Sequence, residues 1–159
     1  MKKIMTAILN LVQSVFGWGS SANGFRPRTT SNGYKIYYDK TSGEAVGIVY
    51  KKLVFLKAFS ERKMNWYEAV EYCKTIVING IVAELCPVTK NWETEFRDIY
   101  CDLKQALKEI GAEKSDYCTW CSEKDDLNAW CQYFIRGNVY PSYKGYDSSY
   151  VRPVLVLKR

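Results

Sequence analysis

Two stretches of helical periodicity, followed after Lys114 only by short strand-like runs and turn chemistry, constrain this chain more than any other feature. The first stretch opens at Asn65-Trp-Tyr-Glu68. This is a capping-box pattern, with Asn65 accepting from the backbone and Glu68 reaching back. Trp66, Ala69, Val70, Cys73 and Val77 then recur at helical spacing until Asn79-Gly80 stops the helix. The second stretch opens at Pro87 and Thr89, and Trp92, Phe96, Ile99, Leu103, Ala106, Leu107 and Ile110 hold one face until Gly111. Glu93, Glu95, Lys104 and Lys108 lie off that stripe, where solvation accounts for them. Past Lys114 the strand candidates are residues 119–122, 129–134 and 151–157. Between them, residues 124–128, Arg136-Gly-Asn138 and residues 140–150 read as turns. Ahead of the helices, residues 34–38 and 46–50 read as strands around the turn-rich 39–43, and 51–59 continues the sheet; residues 81–85 make a further short strand. Two helices followed by a run of strands argue an α+β domain.

The length of 159 residues allows one domain of ordinary size, and 47% hydrophobic content is enough for a core. The folded domain is expected over residues 34–159, after a linker at 20–33 rich in Ser, Asn, Gly, Pro and Thr. Residues 1–19 carry two readings. A basic start, a short apolar run and Ser20-Ser-Ala22 fit a weak secretory signal. Ile4, Ile8, Leu11, Val15 and Trp18, spaced four, three, four and three, fit the seam of a short oligomerising or docking helix. Asn10, Gln13 and Ser14 make the run too polar for a membrane span.

The chain has no His, which removes Ser-His and Cys-His nucleophile pairs, His-ligated zinc and any His base. Of the six cysteines (Cys73, Cys86, Cys101, Cys118, Cys121 and Cys131) only Cys118 and Cys121 are closely spaced, and zinc needs a second pair. On a strand these two point to opposite faces, and packing is the default for both. The net charge of +6 raises the question of nucleic acid. Between residues 121 and 150, however, Glu123, Asp125, Asp126 and Asp147 oppose Lys124, Arg136 and Lys144, so no phosphate-tracking stripe forms there.

That same region concentrates tyrosine. Tyr133, Tyr140, Tyr143, Tyr146 and Tyr150 are mixed with Ser142, Ser148, Ser149, Gly145 and Asp147. Rigid amphipathic rings among small adaptable residues are the composition of antibody paratopes. The competing reading packs several of these rings in a sheet. Trp66, on the apolar face of its helix, reads as core.

Taken in order, Asn65-Trp66, Ala69, Tyr72-Cys73, Gly80, Pro87 and Trp92 precede the helix ending in Leu107-x-x-x-Gly111. Then follow Trp120-x-Ser122-Glu123, Ala129-Trp130, Gly137-x-Val139, Lys144 and Val151-Arg-Pro-Val154. This ordered set resembles the C-type-lectin-like domains of bacterial surface proteins and phage receptor-binding proteins, especially the variable proteins of diversity-generating retroelements. It covers residues 34–157.

The resemblance implies an α+β, C-type-lectin-like fold with two helices and small antiparallel sheets. It implies a binding face built from the carboxy-terminal strands and loops. Trp120, Ser122, Glu123, Ala129, Trp130, Gly137, Val139, Lys144, Val151, Arg152 and Pro153 would be scaffold. Exchangeable positions would fall among 124–128, 131–136 and 140–150. Cys121 departs from the Ser often found there. The expected ligand-binding residues are Cys131, Tyr133, Arg136, Tyr140, Ser142, Tyr143, Tyr146, Asp147, Ser148 and Tyr150. The Glu-Pro-Asn and Gln-Pro-Asp tripeptides of calcium-dependent sugar binders are absent, so no metal and no cofactor is expected. Formylglycine-generating enzymes share a related fold and use a Cys pair, but they are far longer, and no catalytic residue is assigned. The expected function is non-enzymatic ligand or receptor binding, on a protein or glycan receptor at a cell surface and without nucleic acid. The alternative is structural decoration of a virion or fibre. The expected location is extracellular, virion-associated or cell-surface. Homo-oligomerisation, as a trimer by analogy with phage fibres, would run through the N-terminal helix.

Overall fold

The computed structural model describes residues 28–114 and 116–158. The architecture is α+β, with two helices and three small antiparallel sheets among the described residues. Strands β1 (Lys35–Tyr38), β2 (Ala45–Tyr50) and β3 (Leu53–Leu56) form a meander. The last strand of the chain, β9 (Val154–Val156), pairs with β3, so the two ends of the domain share one four-stranded sheet. The expected helix and linker at residues 1–27 lie outside the described residues. Residues 28–33 already belong to the domain. Thr29 bridges Lys35, the Ser31 backbone N–H donates to the Glu109 carboxylate at 2.9 Å, and the Asn32 side-chain amide donates to the Asp102 carbonyl. Polar composition reads as a linker there, and in the structure Ser31 and Asn32 of that stretch bind Glu109 and Asp102 of the second helix.

Helix α1 (Trp66–Lys74) is capped as expected at one end, where Asn65 Oδ1 accepts from the Glu68 N–H at 2.9 Å. Glu68 does not reach back; its carboxylate pairs with Arg62 at 3.0 Å. The helix is shorter than its periodicity suggested. Val77 and Ile78 form β4 (Val77–Ile78), which pairs with β5 (Ile81–Val82). Asn79 and Gly80 take φ of 51° and 77°, the two positive values of a tight hairpin turn. The β-branched run Ile76, Val77 and Ile78 prefers the extended backbone, and Val77 ends up 57% exposed. Helix α2 (Trp92–Glu109) buries Trp92, Phe96, Leu103, Ala106 and Leu107, the expected stripe. Among the described residues no helix is long and apolar enough to cross a membrane.

The three-stranded sheet has the order β6 (Cys118–Glu123), β7 (Asn128–Tyr133), β8 (Asn138–Tyr143). Strand β8 runs through residues whose Asn, Pro and Ser content reads as turn. It is the outer strand, where Pro141 withholds no needed hydrogen bond from a central ladder. This sheet is packed on both sides. Trp120, Ala129 and Cys131 meet Ala69 and Cys73 of α1 with Met64 and Val151. Cys121 and Val139 join Phe96, Leu103 and Leu107 of α2 in the main core, and Gln132 accepts from the Trp92 indole N–H at 3.2 Å.

Candidate functional site

The positions that the resemblance assigns to scaffold are held by specific contacts. The fully buried Trp120 donates its indole N–H to the Met64 carbonyl at 2.8 Å. Ser122 Oγ accepts from the Val88 N–H at 2.9 Å. Gly137 takes φ of 71° with the Tyr100 ring so close that a Cβ would stand 2.3 Å from it. Arg152 is fully buried and donates to the carbonyls of Leu56, Lys57 and Glu113. Burial pulls its guanidinium down to about 10. Lys144 is buried too. Its ammonium meets Glu123 Oε2 at 2.7 Å and the Asp126 carbonyl at 3.2 Å, and sits 4.7 Å above the Trp66 ring. Trp66 in turn donates its indole N–H to the Cys121 carbonyl, and its backbone N–H to the Lys144 carbonyl. The loop after β8 is therefore tied to the start of α1.

On that frame the tyrosines are displayed along the outer strand. Register pairs Tyr140 with Cys131 and Ser142 with Ala129, so Tyr140 and Ser142 share one face of the sheet. Tyr143, paired with Asn128, leaves from the other side. The turn that follows brings Tyr146 edge-on to Tyr143, with ring centres 4.9 Å apart. Tyr140, Tyr143 and Tyr146 are 37%, 45% and 64% exposed. Gly145 permits this arrangement, because a Cβ there would lie 2.6 Å from Tyr143 Cε1. Ser142 and Ser148 hydroxyls lie 3.4 Å apart beside the rings, and Asp147 is exposed next to them. Tyr133 is half-buried, and Arg136 is exposed in the turn between β7 and β8. Burial, then the Cys118 thiol at 2.9 Å, raises the Tyr140 hydroxyl above its ordinary value, so it keeps its proton at physiological pH.

Two of the ten expected binding residues are placed elsewhere. Cys131 is fully buried, its sulfur 3.4 Å from Ser149 Oγ, because alternation along β7 turns it inward with Ala129. Tyr150 packs against Phe59 and Tyr117, with ring centres 5.1 and 4.8 Å away, and the Lys114 ammonium lies 5.1 Å over its ring. Its backbone pairs with Cys118 and Trp120, which makes it part of the sheet's inner edge. Conversely, Leu127 is 62% exposed, and its carbonyl accepts from the Lys144 N–H at the base of the Tyr143–Tyr146 turn; nothing in its local sequence marks it.

No protein-family model matches the chain, and no curated protein matches its sequence.

The acidic residues near the face have local duties. Asp125 accepts from the backbone N–H groups of Leu127 and Asn128 at 3.0 and 2.8 Å, closing the β6–β7 turn. Among the described residues no group of three or more Cys, Asp or Glu is gathered for a metal ion. A cleft of about 600 Å³ lies between residues 59–64 and α1, lined by Phe59, Glu61, Arg62, Glu68, Glu71 and Tyr72 among others, and contains none of the ten expected residues. A smaller apolar cleft of about 280 Å³ runs beneath Trp66, Val70 and Leu85 to Glu123.

Proposed function

We propose that this chain is a non-enzymatic recognition protein of C-type-lectin-like fold, binding a protein or glycan receptor through the outer strand and following turn that carry Tyr140, Ser142, Tyr143, Tyr146, Asp147 and Ser148. The observation that carries this reading is the pairing of three exposed tyrosines with a turn anchored by the buried Lys144. Rings fixed in advance present contact area without a large ordering cost on binding. In this reading the exchangeable positions are those whose side chains leave the sheet, and the resemblance to retroelement-diversified proteins makes Tyr143, Tyr146 and their neighbours variable between sister genes. Residues 1–19 join several copies, as a trimer by analogy, and a multivalent head gains avidity from weak single faces. The setting is a virion or a cell surface.

The test compares the full chain with a Tyr140→Ala, Tyr143→Ala, Tyr146→Ala variant on arrayed glycans and on intact bacterial cells. Central tyrosine anchors each contribute about 2 kcal/mol or more on truncation, so the triple variant should lose binding by several orders of magnitude. Undiminished binding would place the site elsewhere. Loss of self-association with binding retained would favour the structural decoration role.

A further inference from the structure

Beside Tyr140, on its own face of the sheet, lies a cluster of thiols and hydroxyls that the recognition reading does not use. The β6–β7 register sets Cys118 opposite Tyr133 and Trp120 opposite Cys131. Cys118 and Cys131 are therefore diagonal neighbours on one face of the sheet. The two sulfurs sit close enough on that face to influence each other's protonation, and Cys118 Sγ meets Tyr140 Oη at 2.9 Å while Cys131 Sγ meets Ser149 Oγ at 3.4 Å. Cys118 is half-buried and Cys131 fully buried. Hydrogen bonds from Cys131, then Tyr140 and Ser149, with the Lys63 charge nearby, pull the Cys118 thiol down to about 7 against the opposing effect of burial. The Cys131 thiol is pushed up, first by its bond to Cys118 and then by burial. One sulfur is reachable and nucleophilic; its neighbour is sheltered and holds its proton.

We propose that Cys118 and Cys131 form a peroxide-responsive thiol pair, in which Cys118 is the attacking sulfur and Cys131 the resolving one. The Cys118 thiolate attacks one oxygen of hydrogen peroxide. An S–O bond forms, the O–O bond breaks, and the departing hydroxide takes a proton to become water. The Cys131 sulfur then displaces the hydroxyl of the Cys118 sulfenic acid, forming the S–S bond as the Cys131 proton leaves with that hydroxyl as a second water. Two thiols are oxidised by two electrons and one peroxide is reduced. Diagonal strand neighbours have Cα atoms about 7–8 Å apart, at or beyond the 4.4–6.8 Å that disulfides usually span. Because β6 and β7 are already paired side by side, closure needs a local shift of one strand along the other, and a bond formed under that distortion is readily reduced, as a reversible switch requires. It also removes the sulfur partner of the Tyr140 hydroxyl, so oxidation alters the exposed face directly. The other close pair, Cys86 and Cys121, bridged by backbone pairing, is fully buried and out of reach of an oxidant. Cys101, exposed on α2, provides an internal reference.

The test is a peptide map of the full wild-type chain at pH 7 after treatment with equimolar hydrogen peroxide and alkylation of the remaining thiols. The expected product is a Cys118–Cys131 linked peptide that dithiothreitol reverses, with Cys101 still alkylated. Cys131→Ser should stop at a dimedone-trapped sulfenic acid on Cys118. Iodoacetamide labelling of Cys118 should be half-maximal near pH 7, and Tyr140→Phe should move that midpoint upward. Oxidation of Cys101 while Cys118 and Cys131 stay reduced would overturn the proposal. So would conversion of Cys118 to sulfinic acid without a link in the wild type, a result that needs no variant to fold.

Discussion

Removing the carboxylate of Glu123 should destabilise this protein more than removing the ammonium of Lys144, although the two form one ion pair. The asymmetry comes from where each group sits. The Lys144 side chain is 3% exposed, whereas that of Glu123 is 57% exposed. Glu123→Ala leaves a buried cation with only the Asp126 carbonyl and the Trp66 ring for company. Breaking a fully buried pair typically costs 3–5 kcal/mol, and the two surviving contacts with the open Glu123 side reduce this to about 2 kcal/mol. Lys144→Met keeps most of the buried stem and returns Glu123 to water. It forfeits a cation–π contact worth about 1 kcal/mol and two hydrogen bonds, to Glu123 and to the Asp126 carbonyl, but it also removes the cost of desolvating an ammonium, so the net loss is about 1 kcal/mol. Urea unfolding of the full chain, followed by tryptophan fluorescence, measures both. The double variant Glu123→Ala, Lys144→Met should be more stable than Glu123→Ala alone, because no cation is left stranded. A Lys144→Met loss equal to or larger than that of Glu123→Ala, or a double variant weaker than Glu123→Ala, would refute the reasoning.

Gly137→Ala should cost about 2 kcal/mol or more in the same assay, since it combines φ of 71° with a Cβ driven into the Tyr100 ring. Pairing it with Tyr100→Ala should recover part of that loss relative to the sum of the single variants. Asp116, beside the Lys104 ammonium, and Asp125, accepting from the N–H groups of Asn128 and Leu127, are both held below the ordinary carboxyl value of 3.8. Their contribution is complete above that unfolded-state value and disappears as pH falls through the lower folded-state values, because there the unfolded chain binds more protons. Unfolding curves collected from pH 5 down to pH 2 should show the loss, and Asp116→Asn should flatten it; an unchanged slope would remove Asp116 from the account.

The elements that were legible in the sequence are those where one signal dominated. Helix α2 carries an unbroken apolar stripe from Trp92 to Ile110, and its inner face was readable residue by residue. The start of α1 was readable because an Asn cap has a local mechanism. Its end was not. Asn79-Gly80 serves equally as a helix stop and as a hairpin turn, and the helical spacing of Val77 was coincidence set against three consecutive β-branched residues. Strand β8 was illegible for a related reason: Asn138, Pro141 and Ser142 disfavour a central strand, but an outer strand tolerates them. Composition singles out Tyr140, Tyr143, Tyr146 and Tyr150 alike and cannot separate the exposed first three from Tyr150. That residue's partner Phe59 lies far away along the chain, and only tertiary structure brings it near. Composition gives no sign that Cys131 is buried, because the β7–β8 register that turns it to the interior belongs to the fold.

The way residues 144–152 are held separates the groups that fix the segment from the side chains it exposes. At one end, Lys144 fixes the segment through its ammonium, its N–H to the Leu127 carbonyl and its carbonyl to the Trp66 N–H. At the other, Arg152 donates to three carbonyls from two distant parts of the chain. Between them, Ser149 pairs with Met64 through backbone, and Tyr150 with Cys118 and Trp120. Every one of these tethers is either a backbone group or a side chain that the resemblance assigns to scaffold. None is supplied by the side chains of Tyr146, Asp147 or Ser148. Exposed substitutions that touch no such tether usually change stability by less than about 0.5 kcal/mol. The turn can therefore change its chemistry while the frame keeps its shape, as the proposed recognition role requires.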